Sequence, residues 1–125
     1  MSGAAEWSFT DAWLLTSASG YGRRGCTLTN LIGTADARNH DVATEADAAK
    51  SLGRLIASDL LVVKNGKFCA TDTGRSLYKR RSGGWFEESG SVLQLLSEVP
   101  LVEGTWEFAP GEYMAAYEEY SRRMR

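Results

Sequence analysis

The sequence lacks the features that mark membrane, secreted and metal-binding proteins. It has no run of about 18 apolar residues, which a membrane-spanning helix needs, and residues 1–6 lack the charged start and apolar stretch of a secretory signal. Its two cysteines, Cys26 and Cys69, match no spacing found in zinc sites or redox pairs. We therefore expect a soluble cytoplasmic protein whose thiols are reduced and which uses no cofactor.

Patterns for catalysis are missing as well. His40 is the only histidine, and a metal site needs several ligands, so we expect His40 to cap its turn, to sense pH there, or to have no role. There is no Gly-x-Ser-x-Gly pattern, and Gly20, Gly22 and Gly25 are not followed by the Gly-Lys-Ser or Gly-Lys-Thr of a phosphate-binding loop. The sequence favours a binding module over an enzyme.

The remaining composition is that of one ordinary globular domain, with 125 residues of which 43% are hydrophobic and 24% charged. The formal net charge is −2, but residues 1–81 carry 11 Lys or Arg against 8 Asp or Glu, whereas residues 82–125 carry 3 against 8. The first segment can therefore face a nucleic acid on one side, and the second is unsuited to it. The balance is far from that of a strongly basic DNA-binding protein.

Three helices are predicted in the first half of the chain. We expect Thr10 to cap the first, the second to run from about Thr27 to about Asn39, and Thr44 to cap the third. Gly53 inside the third helix predicts a close crossing, which we assign to the second helix. The positions expected to be buried recur at helical spacing: Ala12, Trp13, Leu14, Leu15, Ala18, Leu28, Leu31, Ile32, Ala35, Ala48, Ala49, Leu52, Leu55 and Ile56.

The period then changes to that of a β-hairpin. Residues 61–64 and 67–71 read as two strands, and Asn65-Gly66 between them is the signature of a two-residue type I′ turn. Thr71 or Asp72 is expected to cap a further helix that ends in a basic run at residues 79–81.

Ser82-Gly83-Gly84 predicts a boundary, so that residues 1–81 form one domain and residues 82–125 a C-terminal helical extension. We expect Ser91 to cap a short apolar helix over residues 92–96, Trp106 and Phe108 to alternate in a short strand, and Pro110 to begin a last helix. The extension either packs on the first domain or forms a dimer interface.

The order helix, helix, turn, helix, hairpin, helix over residues 9–81 resembles the winged helix-turn-helix superfamily of small bacterial transcriptional regulators. The most telling stretch runs from Thr44 to Leu77, where regulators of this kind often have glycine at the position of Asp59. Aspartate also tolerates the left-handed conformation, so the helix end is retained. The resemblance implies a mainly α fold with a small β-hairpin wing.

In DNA-binding members of the superfamily, the third helix enters the major groove and the hairpin touches the flanking backbone. The resemblance therefore implies DNA contacts from an exposed face of the third helix, from the wing and from the glycine-rich loop. The residues concerned are Lys50, Ser51 and Arg54 on the helix, Lys64, Asn65 and Lys67 at the wing, and Arg23 and Arg24 in the loop. An ordinary solvated face remains an alternative, because Glu45 and Asp47 sit where phosphates would approach.

From these observations we expect a bacterial winged-helix regulator that binds duplex DNA. The alternative is a winged-helix module used for protein–protein interaction without DNA binding. A continuous positive stripe on the surface favours DNA, and its interruption by Glu45 and Asp47 favours a protein partner. The last helix predicts a homodimer through an aromatic and sulfur-rich stripe, unless that stripe packs on the helix at residues 92–96. The stripe consists of Tyr113, Met114, Tyr117, Tyr120 and Met124.

Overall fold

A computed structural model describes residues 6–124 of the chain, and this part contains six α-helices and one β-hairpin. The mainly helical fold with a small hairpin is confirmed. The elements are α1 (Phe9–Ser19), a 3₁₀ turn (Gly22–Arg24), α2 (Leu28–Asn39), α3 (Glu45–Ala57), β1 (Leu61–Lys64), β2 (Lys67–Ala70), α4 (Asp72–Lys79), α5 (Glu88–Leu96) and α6 (Glu112–Arg123). Within residues 6–124 no helix is long and apolar enough to span a membrane.

The start of α1 differs from the prediction. Ser8 is the N-cap: its hydroxyl accepts a hydrogen bond from the Asp11 amide at 3.3 Å, and the Asp11 carboxylate accepts one from the Ser8 amide at 2.8 Å. This reciprocal capping box explains why Thr10, the predicted cap, lies inside the first turn. Thr44 and Thr71 cap α3 and α4, as predicted for the first and as one of two options for the second.

Two helix ends use residues in the left-handed conformation. Asp59 has φ 62°, and the Leu60 amide beyond it donates back to the Leu55 carbonyl at 2.9 Å, so the expectation for Asp59 is confirmed. His40 has φ 53° and its amide donates to the Asp36 carbonyl at 2.6 Å, which makes it the C-cap of α2.

The hairpin pairs β1 and β2 in antiparallel register, from Leu61 opposite Ala70 to Lys64 opposite Lys67. Asn65 and Gly66 have φ 52° and 75°, so the predicted type I′ turn is confirmed. The predicted second strand is one residue too long, because Thr71 caps α4.

The loop before α2 is fixed beside this hairpin. Cys26 and Phe68 exchange two backbone hydrogen bonds of 2.9 and 2.8 Å. Gly25, at φ 71°, lies so close that a Cβ there would be 2.4 Å from the Cys69 sulfur. Only glycine permits so close an approach at position 25. The 3₁₀ turn therefore lies against the hairpin of β1 and β2, which is called the wing below.

Helix α1 is the centre of the core and packs against α2, α3, α4 and α5. Its residues 11–19 are all buried. The C-terminal segment shares this core, since Val92 and Leu96 of α5 and Tyr113 and Ala116 of α6 belong to the same apolar cluster.

The C-terminal elements begin elsewhere than predicted. Helix α5 starts at Glu88, so Ser91 lies within it, and its hydroxyl accepts from the Ser82 amide at 2.8 Å instead of capping. Residues 106 and 108 are not in a strand. Helix α6 starts at Glu112 with Gly111 as its N-cap, because Gly111 takes φ 78°.

Helix α6 packs on α2, not on α5 as the alternative for its stripe supposed. Tyr120 lies so close to α2 that a Cβ at Gly33 would be 2.9 Å from its ring, and its hydroxyl donates to the Asp36 carboxylate. Tyr113 is buried, whereas Met114, Tyr117 and Met124 are exposed. The stripe is therefore divided between the core and the surface.

Candidate nucleic-acid interface

The wing and the 3₁₀ turn present cations to solvent. Arg23, Arg24, Lys64 and Lys67 are exposed, as is Asn65 at the tip of the turn. Within the part of the chain that the structure describes, none of these four cations is in an ion pair. The pairing of Cys26 with Phe68 is what brings the turn to the wing.

Arg23 and Lys64 border one open groove together with Arg75. Two carboxylates, Asp59 and Asp72, also border it, and Asp72 is paired with Arg75. The groove therefore keeps a surplus of positive charge. Arg24 follows Arg23 in the chain, and Lys67 is paired with Lys64 across the hairpin.

The face of α3 is different from what the sequence predicts. Ser51 is 2% exposed and Arg54 6% exposed, so neither lies on an exposed helix face. Of the three α3 residues assigned to DNA, only Lys50 is exposed. The expectation of an exposed face fails for both: α3 packs on α1, and the Arg54 guanidinium is enclosed between Asp11 of α1 and a covering segment further along the chain.

The covering segment comprises residues 101–108, called the strap below. The strap contains no helix or strand and runs antiparallel to α3. At the C-terminal end of α3, the Ser58 hydroxyl accepts from the Val102 amide at 2.8 Å. At the N-terminal end, Trp106, Glu107 and Phe108 border a groove with Glu45 and Ala49.

Gly53 is the crossing point of the strap. A Cβ on Gly53 would lie 2.4 Å from the Gly104 carbonyl oxygen, and a Cβ on Gly104 would lie 2.6 Å from the Gly53 oxygen. The close crossing predicted from Gly53 is therefore present, but its partner is the strap and not α2. Trp106 then packs edge-on against Phe68 of the wing, with ring centroids 5.5 Å apart.

Arg54 is held on two sides. Its Nη1 donates inward to the Asp11 carboxylate at 3.1 Å and to the Glu6 carbonyl at 3.2 Å. Its Nε and Nη2 donate outward to the two carboxylate oxygens of Glu103 on the strap, both at 2.9 Å. A bidentate pair of this kind is the geometry in which arginine also binds phosphate.

The ion pair between Arg54 and Glu103 shifts the pKa of both groups. Hydrogen bonding to Glu103 raises the pKa of the Arg54 guanidinium, although burial opposes the shift. The same bonds hold the pKa of Glu103 below its usual range, and the charge of Lys50 lowers it further. Glu103 thus pairs with Arg54 and lies within the electrostatic reach of Lys50, the two α3 cations assigned to DNA.

The surface of α3 is consequently not a continuous positive stripe. Glu45 and Asp47 are exposed at its start, Lys50 is beside Glu103, and the cationic edge of Arg54 is occupied. The six predicted cations fall into two sets: four exposed around the wing, and two on α3 that face the acidic strap.

A second charged cluster, which no local sequence pattern predicts, connects α2 to α5. Arg38 is 3% exposed and donates to the Glu88 carboxylate at 2.6 Å, while Arg81 donates to the other oxygen of Glu88. Burial raises the pKa of Glu88, but these two arginines outweigh it and leave the pKa below its ordinary value. The Arg38 guanidinium also stacks 3.9 Å above the Trp85 ring.

The thiols and the histidine offer no reactive arrangement. Burial, with the neighbouring Cys69, raises the pKa of Cys26 to about 12, so its thiol stays protonated. His40 stacks on Phe86 with ring centroids 5.6 Å apart. Among residues 6–124, no three histidine, cysteine or acidic side chains gather in a group suited to a metal ion.

The chain was compared with protein-family models, curated proteins and solved structures, and none of the three gives a match.

Proposed function

We propose that this chain is a bacterial winged-helix regulator that binds duplex DNA through its wing and 3₁₀ turn. The observation that carries the proposal is the group of four exposed cations, Arg23, Arg24, Lys64 and Lys67, none of them in an ion pair among the described residues. Cations with no carboxylate partner release counterions when they meet phosphate, which favours binding. Two buried reduced thiols suit a cytoplasmic location.

The wing supplies contacts to the DNA backbone more readily than to base edges. Lys64 and Lys67 lie opposite each other in the last pair of the two strands, next to the turn. Both side chains are therefore at the tip of the hairpin. Such lysines act as point charges toward phosphate. With the strap in place, α3 does not offer Arg54 to a base, and we expect weak binding with little sequence preference.

The proposal is tested by fluorescence anisotropy with labelled duplex DNA at two salt concentrations. Lys64→Gln with Lys67→Gln should weaken binding to every duplex alike. The matched control is Lys79→Gln with Arg122→Gln, which removes the same charge from exposed ends of α4 and α6. If both pairs weaken binding equally, the wing has no special part, and if the parent binds no duplex at low salt, the proposal is wrong.

A second candidate, protein–protein interaction without DNA binding, is favoured by two observations. Glu45 and Asp47 interrupt the positive stripe on α3, and α6 carries exposed apolar side chains. Met114, Tyr117 and Met124 are 57%, 38% and 70% exposed and recur at helical spacing along its outer side. The occupant that fits the earlier expectation is a second copy of the chain, paired through this helix about a two-fold axis. Light scattering tests the pairing: a species of twice 13.7 kDa supports it, and a 13.7 kDa species at high micromolar concentration removes it. Only a dimer that binds no duplex in the anisotropy assay would favour this candidate over DNA binding.

A further inference from the structure

We propose that the outward edge of Arg54, together with Lys50, is a second phosphate-binding site on α3, and that the strap occupies it with Glu103 as an intramolecular competitor of DNA. The inference rests on the proposed DNA binding and adds its regulation. While the strap covers Arg54, which we call the closed state, only the wing contacts DNA. When the strap detaches from α3, Arg54 and Lys50 contact DNA as well.

The two edges of Arg54 have separate roles. The inward nitrogen, Nη1, serves Asp11, whose side chain is 1% exposed, and this contact is independent of the strap. The outward nitrogens, Nε and Nη2, serve Glu103, whose side chain is 54% exposed. Release of Glu103 therefore frees a preorganised guanidinium edge while the fold keeps its hold on Arg54.

The strap is attached by few polar contacts. Within the described residues, positions 101–108 make no backbone-to-backbone hydrogen bond. Their polar anchors are the Glu103 pair and the Ser58 hydroxyl, which exchanges hydrogen bonds with the Val102 backbone at 2.8 and 3.3 Å. The apolar anchors of the strap lie at one end, where Trp106 packs on Phe68 and Phe108 on Tyr113, away from Glu103. The indole nitrogen of Trp106 is buried with no hydrogen-bond partner. An unpartnered buried donor weakens the closed state relative to the open one.

Chemistry identifies the competing ligand. The edge of Arg54 binds two oxygens of one planar carboxylate, and two oxygens of a phosphodiester fit the same fork. Lys50 is exposed and precedes Arg54 by four residues, one turn away on the same side of α3, where it can meet a neighbouring phosphate. The strap belongs to the acidic part of the chain, so the competitor and the ligand carry the same sign of charge.

The test compares two charge-matched variants on the same strap. Glu103→Gln removes the carboxylate that occupies Arg54, and Glu107→Gln removes an exposed carboxylate that makes no ion pair among the described residues. Both change the net charge by the same amount, so a general electrostatic gain is equal in the two. We expect Glu103→Gln to bind duplex DNA at least about tenfold more tightly than Glu107→Gln, since one charge-assisted phosphate contact is added.

Gly104→Ala provides a second route that leaves the charge unchanged. Its Cβ would lie 2.6 Å from both the Gly53 oxygen and the Ala57 Cβ, so the strap must lift. We expect this variant also to bind more tightly than the parent. Adding Lys50→Gln should cancel most of the gain in Glu103→Gln and have a smaller effect in Glu107→Gln. Circular dichroism confirms that each variant is folded before binding is measured.

The outcomes separate the two proposals. If the parent binds through the wing while Glu103→Gln gains no more than Glu107→Gln, the competitor role of the strap is wrong and wing binding stands. A folded Gly104→Ala that binds no better than the parent has the same meaning. If no variant binds any duplex at low salt, the DNA-binding function itself fails. Binding by Glu103→Gln and Gly104→Ala but not by the parent would overturn binding through the wing and would support the strap as a competitor.

Discussion

Replacement of Arg54 by leucine tests the account of its buried edge. Asp11 is fully buried and Arg54 is 6% exposed, and their atoms are 3.1 Å apart. Arg54→Leu leaves the Asp11 carboxylate buried without its cation. Breaking a buried pair from one side typically lowers the free energy of unfolding by about 3–5 kcal/mol, and we expect a loss in this range.

The matched variant is Arg54→Leu with Asp11→Asn. Because the buried charge is then gone, the loss should shrink to about 1–3 kcal/mol, mainly from unmet hydrogen bonds. The assay is urea unfolding followed by far-UV circular dichroism. A double variant no more stable than Arg54→Leu would show that the two side chains are not coupled and would refute the reasoning.

The third variant, Glu103→Gln, removes the carboxylate that pairs with the outward nitrogens of Arg54. We expect its unfolding midpoint in urea to stay close to that of the parent, because the Glu103 side chain is 54% exposed and an ion pair with a solvated partner contributes little to stability. A midpoint shift as large as that of Arg54→Leu would mean that the strap edge holds the fold together. The strap could not then act as a detachable competitor.

Two further predictions concern the wing and the buried cluster on α5. Gly66→Val should lower the free energy of unfolding by more than about 1 kcal/mol in the same assay, since Gly66 has φ 75° and β-branched residues resist that conformation; an unchanged midpoint would contradict the turn assignment. The pKa of Glu88 is lower in the folded chain than its ordinary value of 4.5, so its contribution is present above that pH and is lost as the pH falls through the folded pKa. The parent should therefore lose stability more steeply below pH 4.5 than Glu88→Gln does, and parallel curves would show that Glu88 is not paired.

The parts of the fold that the sequence predicted are those that neighbouring residues determine. Asn65-Gly66 specifies its turn because both residues tolerate positive φ, and Thr44 caps α3 through an amide three residues away. Asp59 ends α3 for the same local reason. Ser8 was missed although its signal was present, since Asp11 follows it at capping-box spacing.

The part of the site that sequence analysis could not predict depends on contacts between distant residues. Helical periodicity places Ser51 and Arg54 opposite the apolar face of α3, and that side of a helix is normally solvated. Here α3 packs on α1, and Arg54 is enclosed between Asp11 and Glu103 of the strap, which lies 49 positions beyond it. Gly53 was the one sequence signal of a close crossing. A glycine in a helix indicates that another segment packs closely there, but it does not identify that segment.

The central claim is that four wing and turn cations meet phosphate, and the salt dependence of duplex binding tests it most directly. For about four neutralised phosphates, the logarithm of the binding constant should fall with the logarithm of salt concentration at a slope of roughly −3.6. Lys64→Gln with Lys67→Gln should reduce the steepness by about 1.8, whereas Lys79→Gln with Arg122→Gln should leave it unchanged. A slope near zero in the parent, or one that the wing variants do not alter, would contradict the claim.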